Sequence, residues 1–174
     1  MKKIIYMAVL LVSLGMTSCS KDDIENTATV NTAGQWYVTV DAVDDKGNVV
    51  ISDPYGLGRK MQFTYNTAAN TGNEMYVDDN ETLWNYKTRV VTDQNSLTFA
   101  SAVTSAMNNE RGDAIMVTIT DGKILKGAGH QKNGSVADSI VYYVTFSDDE
   151  NPAKYGFSKY KVSGVRYSGL EEND

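Results

Sequence analysis

The chain has 174 residues, with 22 Asp and Glu against 16 Lys and Arg, for a formal charge of −6. That balance excludes a nucleic-acid binder, whose phosphate contacts need Lys and Arg, and it supplies no basic patch for docking on anionic lipid. A single cysteine excludes an intramolecular disulfide framework.

In chain order, the first element is a leader. Lys2 and Lys3 precede an apolar run from Ile4 to Gly15. The run is shorter than the ~20 residues needed to span a bilayer and fits the apolar region of a secretory signal peptide. "MTSC", Met16 to Cys19, resembles a bacterial lipobox, with methionine where leucine is more usual. Residues 1–18 therefore read as a lipoprotein signal peptide and Cys19 as the acylated first residue of the mature chain. Acylation would leave no thiol for nucleophilic catalysis or metal ligation. Several acyl chains, each methylene contributing ~0.8 kcal/mol, hold a protein on a membrane. Lys21, Asp22, Asp23 and Glu25 follow. They resemble the surface-export signal of Bacteroidetes-type lipoproteins, although a solvated linker would look the same. Residues 19–32 are read as an acidic flexible tether. The expected location is the outer membrane, at the cell surface, with the periplasmic face as the alternative.

From residue 33 to 174 the pattern is β. Eleven tyrosines, two tryptophans and frequent Val and Thr favour strands. Period-two alternation places Trp36, Val38, Val40 and Ala42 on one face. It groups Met61, Phe63 and Tyr65 next, then Trp84, Tyr86, Thr88 and Val90, then Leu97, Phe99, Ser101 and Val103. "SAVTSAMNNERG" reads as one short helix at most. Asp121-Gly122 between two alternating runs predicts a type I′ hairpin turn. Ile140, Tyr142, Val144 and Phe146 align, as do Tyr160, Val162, Gly164 and Arg166. Eight to nine strands joined by short turns suit an up-and-down barrel or a sandwich, and a barrel leaves no exposed edge.

Gly34-Gln35-Trp36 opens the first strand as G-x-W, and Arg166 lies in the last. The pair resembles the lipocalin and calycin arrangement, in which an early Trp packs beneath a late Arg at the closed end of the barrel. "AGQWYVTV", "DSIVYYV" and "YKVSGVRYSG" resemble the lipid-binding putative hydrolases of Bacteroidetes, small lipoproteins with a lipocalin-like barrel. Val165 and Ser168 depart from that pattern. The resemblance implies an all-β, lipocalin-like up-and-down antiparallel barrel of about eight strands, with lipid binding and hydrolysis as the implied activities.

The residues themselves supply little catalytic chemistry. His130 is the single histidine, in glycine-rich "KGAGHQKNG", and G-x-S-x-G is missing. Alternation sends Asp138 and Ser139 to opposite faces, so they do not form an acid–hydroxyl pair; Asp138 reads as a turn cap. The acidic loops Asp78–Glu81 and Asp148–Asn151 lack the spacing of a calcium loop. No metal or cofactor is expected. The alternation puts Phe63, Tyr65, Trp84, Tyr86, Phe99 and Tyr142 on the inward faces, where they would line a cavity for a small hydrophobic or lipid-like ligand. A packed core accounts for them equally well, since an eight-stranded barrel is just wide enough for either. Tyr37 and Tyr143, on the other face, could stack sugars instead.

Overall fold

A computed structural model describes residues 26–102, 107–108 and 115–173. The leader, Cys19, Val103 and most of the helix suggested around residues 101–112 lie outside the described residues. Met107 and Asn108, inside that stretch, form a two-residue strand.

The strands are β1 (Gly34–Val43), β2 (Val49–Ser52), β3 (Lys60–Asn66), β4 (Glu74–Asp78), β5 (Lys87–Asp93) and β6 (Thr98–Ala100). They continue with β7 (Met107–Asn108), β8 (Met116–His130), β9 (Val136–Phe146) and β10 (Lys159–Arg166). A short helix, α1 (Asn151–Tyr155), and a 3₁₀ turn, Glu171–Asn173, complete the fold. Eight strands, in the order β1-β3-β4-β5-β6-β8-β9-β10, form an antiparallel wall, and β10 pairs back to β1 to close it. β2 borders the second half of β1, where β3 has already left it, and β7 borders β8.

Closure follows from the pattern. Most strands offer one apolar face, and a cylinder buries those faces without leaving an edge. Trp36, Val38, Val40 and Ala42 are buried as the alternation predicts, as are Ile140, Tyr142 and Val144 from β9 and Tyr160 and Val162 from β10. Gly164 makes the seam possible. A Cβ there would fall on the Tyr37 carbonyl oxygen and Val38 Cα, so only glycine lets β10 lie this close to β1.

Two features differ from the sequence expectation. Asp121-Gly122 does not turn the chain. It forms a bulge within one long β8, where the register against β9 jumps from Thr120↔Tyr143 to Lys123↔Val141. Asp121 takes the left-handed conformation, φ 54°, but Gly122 does not, so the two successive positive φ angles of a type I′ turn are not formed. The extra residue is absorbed in the ladder because the flanking runs pair with β9 rather than with each other. Gly122 is needed because a Cβ would collide with the Phe99 ring and carbonyl. The second difference lies in β3, whose parity is inverted. Gln62 and Thr64 are buried, while Phe63 and Tyr65 stand on the outer face.

The chain ahead of β1 belongs to the fold as well. Residues 27–33 form tight turns that cap one end of the barrel, with Thr29 and Thr32 fully buried. The structured cap thus starts ahead of the boundary expected at residue 33.

Candidate functional site

The barrel has a sealed end and a mouth. At the sealed end Trp36 and Arg166 are cross-strand partners on β1 and β10. The guanidinium carbon lies 4.3 Å from the indole centroid, a cation–π contact of roughly 0.5–2 kcal/mol depending on desolvation. Arg166 Nη1 donates to the Ala33 carbonyl at 2.8 Å and Nε donates to Asp138 at 3.3 Å. Trp36 Nε1 donates to Thr64 Oγ1 at 2.9 Å, and that hydroxyl donates to the Thr32 carbonyl at 2.7 Å. This chain explains the inversion of β3. The buried indole N–H needs an acceptor, and only the Gln62/Thr64 face supplies one. Gly34 completes the set, because a Cβ there would strike Arg166 Nη1 and lie 3.1 Å from Trp36 Cε2.

Asp138 is not the turn cap the sequence suggested. It is the anion of the sealed end, accepting from Arg166, from Lys126 Nζ at 3.0 Å and from the Gly127 N–H at 3.1 Å. Partial burial pushes its pKa up, but the Gly127 N–H, Lys126 and Arg166 outweigh that and hold the carboxyl below its ordinary range.

Midway along the barrel the interior is filled. Met75, Tyr86, Val90, Ile119, Tyr142, Val144 and Val162 are all completely buried there. Tyr86 and Tyr142 share a hydrogen bond of 2.6 Å, and Tyr142 donates to Gln62 Oε1 at 2.5 Å. Burial pushes both phenols above their ordinary pKa. Of the six residues assigned to an internal cavity, Tyr86, Tyr142 and Phe99 do face inward, as members of this packed core. Phe63 and Tyr65 do not. Tyr65 lies beside Tyr76 at 5.6 Å between ring centroids and donates to Asp78 at 2.9 Å, with Lys87 over both rings.

Trp84, the sixth, sits at the mouth. It stacks on Phe146 at 4.7 Å and 7° between planes, and it approaches Tyr55 and Tyr160. Its Nε1 donates to Asp148 at 3.1 Å. Tyr160 donates to Asp149 at 2.7 Å and shares a 2.5 Å hydrogen bond with Tyr55, which also accepts from Asn151 Nδ2. Burial, followed by the Tyr55 and Asp149 contacts, pushes the Tyr160 pKa strongly up. The carboxylates read in the sequence as an acidic loop thus accept from this aromatic plug, and Asp79 accepts from the Glu81, Leu83 and Trp84 N–H groups.

Beside the plug lies a cleft of about 390 Å³, lined by Ile51, Pro54, Tyr55, Asn151, Tyr155 and Phe157. Pro152 starts α1 and Gly156 ends it in the left-handed conformation, φ 74°, which holds Tyr155 and Phe157 against this space. Tyr55 and Tyr155 are about half exposed there. Sequence reasoning missed the cleft because, apart from Ile51 on the short strand β2, its walls come from loops and a five-residue helix, where alternation carries no signal.

Tyr37 and Tyr143, considered as sugar platforms, are covered by cations. Arg59 lies 4.2 Å over Tyr37, and Lys159 lies 4.1 Å over Tyr143. His130 stands exposed at the end of β8, paired in register with Val136.

No curated protein matches the chain. A family model does, over residues 21–171, a span that takes in the sealed end, the plug and the whole barrel. The chain belongs to the lipid-binding putative hydrolase family.

Proposed function

We propose that the protein is a lipid-anchored carrier that holds a small hydrophobic or lipid-like molecule at the mouth of its barrel. The observation that carries this reading is the mouth cleft. Its volume falls within the ~300–1,000 Å³ common for small-molecule sites, and its walls are mainly apolar. Asn151 and the Tyr55 hydroxyl supply polar contacts for a head group, while Ile51, Pro54 and Phe157 supply apolar wall. Family membership supports lipid as the ligand class.

The anchor is Cys19, and the outer membrane, at the cell surface, is the proposed location. Protease treatment of intact cells tests the orientation, since protection would place the protein on the periplasmic face.

Titrating the purified domain with a fluorescent fatty acid tests the binding. Saturable binding is expected, weakened at least tenfold, or ~1.4 kcal/mol, when Tyr55 and Tyr155 are both changed to Ala. Absence of binding to the unmodified protein, or equal binding by the double variant, would refute the mouth as the site.

A further inference from the structure

The sealed end carries a second cleft, of about 340 Å³, whose wall holds more charged and hydroxyl side chains than that of the mouth. Gln131, Ser135, Asp138, Arg166, Tyr167 and Ser168 line it. We propose that it binds a neutral, hydroxyl-rich small molecule, a sugar or sugar residue, independently of whatever occupies the mouth.

Three observations support the assignment. The first is an unmet acceptor. Gln131 is only 7% exposed, and its Nε2 donates to the Arg166 carbonyl at 2.5 Å. Its Oε1 is buried without a hydrogen-bond partner among the described residues. A buried polar atom left in that state costs about 1–3 kcal/mol, and Gln131 itself lines the cleft.

The second is the balance of donors and acceptors. A guanidinium has five N–H donors; the Ala33 carbonyl and Asp138 take the Arg166 bonds described above, and its side chain remains 30% exposed where it lines the cleft. Asp138, held in its ionised form, is an acceptor. Ser168 Oγ already accepts from the Leu170 N–H and from Asn173 Nδ2, so its own O–H is left to donate. Ser135 Oγ donates to Asn133 Oδ1, so its lone pairs are left to accept. Such a set suits a ligand whose groups each donate and accept. Hydroxyls do both, whereas a phosphate or carboxylate only accepts and would meet the charge of Asp138.

The third is the wall. Tyr167 packs edge-on against Tyr37 at 5.4 Å and 89°, which fixes its ring, and a fixed aromatic face can take the C–H side of a sugar ring.

Amide NMR spectra of the purified domain, titrated with the neutral methyl glycosides of glucose, galactose, mannose and N-acetylglucosamine, test the proposal, with inorganic phosphate as the anionic comparator. The expected result is a saturable shift, for at least one glycoside, of residues 127–138 and 166–168. Gln131→Met should weaken binding about tenfold while fluorescent fatty-acid binding at the mouth is unchanged. Should Gln131→Met fail to fold, Ser135→Ala, which alters an exposed turn, takes its place, with a severalfold loss expected. No shift with any glycoside, shifts confined to other residues, shifts with phosphate alone, or unchanged affinity in the folded variant would each overturn the proposal.

Discussion

Replacing Arg166 with Met tests whether the sealed end is a source of stability. Met keeps much of the apolar stem over Trp36 and removes only the cation. The substitution deletes a charged hydrogen bond to the Ala33 carbonyl, a class worth about 1.5–3 kcal/mol, and a cation–π contact worth roughly 0.5–2 kcal/mol. It also leaves Asp138 with Lys126 as its one cationic partner among the described residues. With the Arg166 side chain 30% exposed, solvent screens part of each contribution, so the expected loss is about 2–3 kcal/mol. For a domain of this size that corresponds to a fall in melting temperature of roughly 6–10 °C. Urea unfolding followed by tryptophan fluorescence measures it.

The pH dependence gives a second readout. The folded-state pKa of Asp138 is depressed, so its contribution is present above the unfolded value near ~4 and is lost as pH falls through the folded value. The gap between wild type and variant should therefore narrow on acidification below about pH 4. A loss under ~0.5 kcal/mol, the ordinary range for a surface change, would refute the account of this end.

Other substitutions probe separate parts of the wall. Thr88→Val should stabilise the protein by about 1 kcal/mol in urea unfolding, because the buried Thr88 hydroxyl has no partner among the described residues. Gly164→Ala should cost more than ~3 kcal/mol or prevent folding, since the added methyl lands on the Tyr37 carbonyl, and circular dichroism would report it. Tyr142→Phe removes the bonds to Gln62 and Tyr86 together and should cost about 1–3 kcal/mol in thermal melts. In alkali the sign is reversed relative to Asp138. The pKa values of Tyr86, Tyr142 and Tyr160 are raised, so their contribution is intact below ~10 and is lost as pH rises towards the folded values. Absorbance titration should show a set of the ten tyrosines beyond the leader ionising only as the fold is lost.

The sequence disclosed the barrel where apolar residues alternate cleanly. β1, β9 and β10 carry their cores on the expected parity, and G-x-W with the late arginine marked the sealed end. β3 misled because its largest residues, Phe63 and Tyr65, lie outside. Size and apolarity favoured one face, while the indole N–H of Trp36 and the Tyr142 hydroxyl required polar partners on the other. Such a requirement spans some eighty positions, from Gln62 to Tyr142, and no local window contains it. Asp121 had the right backbone preference and the wrong consequence, because pairing with β9 decides between a reversal and a bulge. Both clefts depend on loops whose neighbours are distant in sequence, so neither could be placed in advance.

Because β1 is zipped to β10, the two extremities of the folded region meet along one line of hydrogen bonds. Nothing short of the full-length polypeptide can finish the ring. A nascent chain stalled before Lys159 would expose one bare edge of β1 and another of β9, the situation in which strands recruit strangers. Export in an unfolded state would postpone that hazard until the last residues arrive, and circular permutants cut at the 44–48 turn would reveal whether late arrival of the final strand governs the rate of assembly.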